Sequence, residues 1–112
     1  MKSYRELKVW QQSFAMVKRV YTLSSQLPQS ELYGLKSQME RSAVSIPSNI
    51  AEGQQRNSNL EFSRFISIAR GSAAELSTQL LLAEDIYKID TSEILNDLEG
   101  IQKMLYGLQI KL

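Results

Sequence analysis

Arg41, Ser45, Ser48, Asn49, Glu52 and Arg56 recur at helical spacing. At 100° per residue they occupy an arc of about 100°, beside the apolar arc of the same stretch rather than opposite it. Polar groups in that position sit at a core boundary, where they are partly desolvated and need partners. A second mixed line follows: Arg64, Ser72, Glu75 and Gln79, set among Ile68, Leu82 and Ile86. One chemistry for this ridge is anion binding, with Arg41, Arg56 and Arg64 as donors, because the planar guanidinium grips oxyanions with two hydrogen bonds. The other is internal. Arg41 would pair with Glu75, or Arg64 with Glu52, as a partly buried ion pair joining the second and third helices.

Glu52 and Glu75 also suggest paired carboxylates of the kind glycoside hydrolysis uses. Little else supports catalysis. The chain has no histidine and no cysteine, which removes the usual general base, thiolate nucleophiles and the commonest transition-metal ligands. Glutamate-rich di-iron bundles pair their glutamates with Glu-x-x-His. Gly34, Gly53, Gly71, Gly100 and Gly107 stand singly, so no phosphate-cradling glycine loop exists. The expectation is a non-enzyme with no catalytic residue, metal site or cofactor.

Charge is uneven. Residues 1–70 hold ten Lys/Arg against five Asp/Glu, a net +5, and residues 71–112 hold three against seven, a net −4. Either a basic patch awaits an acidic partner, or opposite-signed helices lie side by side. On the first reading, RNA or single-stranded DNA binds through phosphates, with little base readout. The contacts would be Lys2, Arg5, Lys8, Lys18 and Arg19 on the first helix, with Lys36 and Arg56 near helix ends. Trp10 and Phe14 are assigned to the core. A protein-docking scaffold is the alternative.

Apolar residues recurring in steps of three and four place four helices, near 4–26, 31–56, 59–88 and 92–112. The first stripe is Leu7, Trp10, Phe14, Val17 and Tyr21. The second is Leu35, Met39, Ala43, Ile46, Ile50 and Gly53; it keeps its phase through Pro47, so a kinked, continuous helix is expected there. Phe62 through Tyr87 and Ile94 through Leu112 supply the other two. Ser3 with Glu6, Ser58 with Glu61 and Asp90 with Glu93 have capping-box spacing, and Leu27-Pro28 ends the first helix. Short loops make neighbours antiparallel. The fold class is therefore all-α, an antiparallel up-down four-helix bundle in one domain, 1–112. Spare apolar lines remain: Val9, Met16, Val20, Leu23 and Leu27 on the first helix, and Ile68, Leu82 and Ile86 on the third. They mean either wide core faces or subunit contacts, and self-association is favoured. No apolar run reaches the ~20 residues of a membrane span, and the N-terminus lacks a signal peptide's apolar stretch. A cytoplasmic protein with no membrane contact is expected.

Two blocks are distinctive: Arg41-Ser-Ala-Val-Ser-Ile-Pro-Ser-Asn-Ile-Ala-Glu-Gly53 and Arg64-Phe-Ile-Ser-Ile-Ala-Arg-Gly-Ser-Ala-Ala-Glu-Leu76. With Leu7-Lys-Val-Trp10, they resemble the four-helix bundle family encoded in intervening sequences of bacterial large-subunit ribosomal RNA genes. The resemblance spans roughly residues 5–110 and extends to the accessory variability protein of diversity-generating retroelements. It implies an up-down bundle that assembles as a ring-like homopentamer. The retroelement relatives have a basic surface and associate with a reverse transcriptase and nucleic acid. No catalytic residues carry over. Arg41, Ser45, Pro47, Asn49, Glu52, Gly53, Arg64, Arg70, Gly71 and Glu75 match the family pattern, which leaves open whether they bind or build.

Overall fold

The computed structural model describes residues 3–112. Four helices form: α1 (Lys8–Ser24), α2 (Leu35–Gln55), α3 (Asn59–Tyr87) and α4 (Ser92–Gln109). Short 3-10 turns at Tyr4–Glu6 and Gln29–Glu31 precede α1 and α2, and no strand occurs among the described residues. Each helix packs on its neighbours in sequence, α4 returns to α1, and the diagonal pairs do not meet. At 1.5 Å per residue α3 is about 43 Å long, which sets the 42 Å long axis of the molecule.

Three of the four expected core stripes are the observed ones. Met39, Ala43, Ile46 and Ile50 of α2 are fully buried, with Ile66, Leu76 and Leu80 of α3 and Ile101 and Leu105 of α4. The α1 stripe is reversed. Val9, Ser13, Met16, Val20 and Leu23 face the core, whereas Phe14 is 49% exposed and Tyr21 46%. Two apolar lines run side by side on this helix, and Ser13 interrupts the one that is buried. Its hydroxyl donates to the Trp10 carbonyl at 3.0 Å, which satisfies the buried group. Of the expected stripe, Leu7, Trp10 and Val17 pack half-buried against the edge of the core, and Phe14 and Tyr21 lie at the surface.

The helix starts also differ from expectation. Ser3 accepts from the Arg5 N–H and caps only the 3-10 turn, and Leu7 is extended before α1 begins. Glu31 does not begin α2. Its carboxylate accepts from the Leu35 N–H at 3.0 Å, capping the helix from outside. Tyr87 donates a short hydrogen bond to the same carboxylate, which ties this connection to the end of α3. Ser58 caps α3 as its spacing foretold, accepting from the Glu61 N–H. Asp90 is not the α4 cap: it accepts from the backbone and hydroxyl of Ser92, and Thr91 holds the cap position without a side-chain bond. The α2 helix runs unbroken through a buried Pro47.

Candidate functional site

The swapped face of α1 builds the feature the sequence reading missed. Tyr4, held by the Ser3-capped turn, meets Trp10 edge-on with centroids 5.3 Å apart. Trp10 lies 5.0 Å from Phe14, one turn along the helix. A cation sits at each end: the Arg5 guanidinium is 5.9 Å from the Tyr4 ring and the Lys18 ammonium 5.3 Å from Phe14. Arg5, Tyr4, Trp10, Phe14 and Lys18 thus form one strip. It borders a groove between α1 and α2 whose α2 wall includes Val44, Pro47 and Ala51.

Of the proposed phosphate contacts, Arg5, Lys8 and Lys18 are exposed and have no ion-pair partner among the described residues. The other three are engaged. Arg19 donates from Nε to Asp97 of α4 at 3.0 Å and also through its terminal nitrogen. Lys36 pairs with Glu40. Partial burial pushes the Glu40 carboxyl up, but hydrogen bonds from Lys36 and Ser24 outweigh it and hold the group below its ordinary range. Arg56 pairs with Glu52 at 2.9 Å and lies 5.0 Å from the Phe65 ring. Lys2 lies outside the described residues. Arg19–Asp97 shows the basic segment partly neutralised by the acidic fourth helix, while Arg5, Lys8 and Lys18 keep a local excess of positive charge.

The chain matches the model of the 23S rRNA-intervening sequence protein over residues 5–107. It belongs to that family. Its fold is similar to that of a protein of unknown function from the S23 ribosomal protein family of Bacteroides thetaiotaomicron, with a TM-score of 0.82 and 27% identity, covering 90% of this chain and 97% of that one. No curated protein matches the chain in sequence.

In this intervening-sequence protein the two family blocks face each other along α2 and α3. Ser45 and Ser72 share a hydrogen bond at 2.7 Å across the interface, and the Asn49 amide donates to the Ser45 carbonyl and hydroxyl. Arg41, Ser45 and Glu75 line one polar pocket. The rest of the ridge disperses. Arg64 pairs with Glu61 on its own helix at 3.1 Å, Glu52 pairs with Arg56, and Arg70 donates to Gln109 of α4 beside the Tyr106 ring. Neither expected ion pair forms: Arg41–Glu75 and Arg64–Glu52 are both absent, and among the described residues no ion pair joins α2 to α3. Intrahelical partners three or four residues away are always within reach, so Arg64 and Glu52 take them. Arg41, Arg56 and Arg64 do not converge as a single anion site.

No group of three or more acidic side chains close enough to hold a metal occurs among the described residues. Among the described residues no helix is long and apolar enough to cross a membrane.

Proposed function

We propose that the protein is a non-catalytic, cytoplasmic, oligomeric RNA-binding module, and that the strip Arg5–Tyr4–Trp10–Phe14–Lys18 is its contact surface. The observation that carries this reading is a run of three neighbouring rings, Tyr4, Trp10 and Phe14, half-buried at Tyr4 and Trp10 and exposed at Phe14, with a cation at each end along one edge of α1. Single strands are held by cations that track the backbone and by aromatic faces on which bases stack, at about 1–3 kcal/mol per base. Lys8 would add a phosphate contact. The exposure of Phe14 replaces the expectation of phosphate contacts alone: stacking joins them, still without strong sequence preference. Single-stranded DNA offers the same rings and charges.

The oligomer proposed is a ring, with a pentamer favoured, built from single-domain subunits whose four helices run up and down with a bend at Pro47. Gln102 bonding to Arg70 while Gln109 reaches Ser63 supports antiparallel α3 and α4. A closed ring of this kind needs two different patches on each subunit. Ile68, Leu82 and Ile86 of α3, each about half exposed, are one. With Val9, Met16 and Val20 buried in the core, the exposed Tyr106 and Ile110 at the end of α4 replace them as the other candidate. A second reading, a scaffold that docks a partner protein, is favoured by the same α3 ridge.

Ultraviolet crosslinking of the native oligomer to single-stranded RNA, followed by peptide mass spectrometry, tests the assignment. Adducts on the segment holding Tyr4, Trp10 and Phe14 are expected. Adducts confined to other helices, or none, would move the balance to the protein-docking reading.

A further inference from the structure

A pocket of about 310 Å³ opens between α2 and α3, away from the aromatic strip. It has room for about ten waters' worth of ligand. Every side chain around it is polar. Ser42, Ser72 and Gln79 are buried, and Arg41 and Glu75 are exposed at its edge. Three features set it apart from an ordinary interhelical seam. Gln79 is only 8% exposed, and its buried Oε1 has no hydrogen-bond partner. Arg41 and Glu75 bring opposite charges to the same small cavity, and neither has an ion-pair partner among the described residues. The Ser45–Ser72 hydrogen bond beneath them fixes the wall and leaves hydroxyl groups able to donate or accept.

We propose that this pocket binds a small zwitterion of the α-amino-acid type. Arg41 would hold the carboxylate through its two-pronged guanidinium. Glu75 would accept from the ammonium group. A lone anion would satisfy Arg41 but meet Glu75 with like charge, and a lone amine would do the reverse. A nucleobase is disfavoured because no aromatic face lines the cavity and bases are normally held by stacking. The ligand completes what the chain leaves open: one unpaired cation and one unpaired anion at the mouth of a polar cavity. This inference is independent of the RNA-binding reading.

The test is thermal unfolding of the native oligomer with each of the twenty L-α-amino acids at millimolar concentration, followed by calorimetric titration of any that raise Tm. Propionate and propylamine serve as single-charge probes. At least one amino acid is expected to raise Tm saturably, and neither single-charge probe should match it. Arg41→Gln and Glu75→Gln each remove one charged contact from an exposed position and should weaken binding by about tenfold or more. Lys103→Gln, on the exposed side of α4, should bind as the parent does, and circular dichroism should show all three variants folded. The proposal is overturned if no amino acid raises Tm, as a direct Arg41–Glu75 pair or a neighbouring subunit plugging the cavity would produce. It is equally overturned if a single-charge probe binds as well, or if both variants bind unchanged. No nucleic acid enters the experiment, so its failure would leave the RNA-binding reading standing.

Discussion

Gly53 and Gly71 both belong to the family blocks, and their surroundings give them opposite meanings. A Cβ on Gly53 would lie 2.5 Å from the Phe65 Cβ and 3.1 Å from the Phe62 ring. The first of these is anchored to the backbone and cannot swing away, so α2 and α3 would have to separate. Gly53→Ala should destabilise the protein by about 1–3 kcal/mol through overpacking. A Cβ on Gly71 meets nothing within 4 Å. In a helix interior alanine is favoured over glycine by roughly 0.5–1 kcal/mol, so Gly71→Ala should stabilise the subunit; urea unfolding of both variants checks the contrast. Glu31 carries a pH prediction. The Tyr87 hydroxyl, then the Leu35 N–H, hold its carboxyl below the ordinary 4.5. A depressed carboxylate contributes stability that is fully present above the unfolded value and is lost as pH falls through the folded one. The same bond raises the Tyr87 phenol above 10.0, and that contribution is present below 10.0 and lost as pH rises past it. Stability should therefore fall below about pH 4.5 and again above about pH 10, and Glu31→Gln should reduce both dependences in denaturation measured across pH.

At the scale of elements, the helices of the bundle were legible because α2 and α4 each carry one apolar stripe, and on α3 the long stripe from Phe62 to Ala83 outweighs the sparse second line of Ile68, Leu82 and Ile86. The α1 helix carries two, and spacing alone cannot choose between faces related by a modest rotation. The expected stripe is the aromatic line of Trp10 and Phe14, with Val9 and Met16 on the spare line beside it. In the structure Val9, Met16 and Val20 join the core cluster with Met39, Ile46 and Leu80, while Phe14 and Tyr21 stay exposed. The polar pocket was partly legible, since Arg41, Ser45, Ser72, Glu75 and Gln79 all lay on the two ridges. Its closure was not, because the intrahelical partners Arg56 and Glu61 take Glu52 and Arg64 out of it. Pro47 belongs to this scale too. It has no N–H for the Ala43 carbonyl, and its ring borders the groove against Trp10. Interior proline costs ~3 kcal/mol relative to alanine, and lost ring burial offsets part of that. Pro47→Ala should thus stabilise the subunit by about 1–2 kcal/mol, read by chemical denaturation, while weakening RNA binding if a bend at this residue shapes the groove.

The whole molecule presents three surfaces with different chemistry: an aromatic and basic strip on α1, a polar pocket between α2 and α3, and an apolar ridge on α3. The ridge predicts assembly. Leu82→Glu should convert the oligomer to helical monomers, and light scattering should give five times 12.8 kDa for the parent and one for the variant. A parent that is monomeric at micromolar concentration would remove the ring. The strip predicts RNA binding, and Trp10, the only tryptophan in the chain, reports on it directly. The decisive measurement is titration of single-stranded RNA into the native oligomer at low salt, following Trp10 fluorescence, and then repeating it across a salt series. The account predicts saturable quenching, a log-log salt slope near −0.7 per phosphate contact, and loss of the response in Phe14→Ala and Lys18→Glu without change in oligomer mass. No quenching at micromolar protein, or quenching that survives both substitutions, would contradict it.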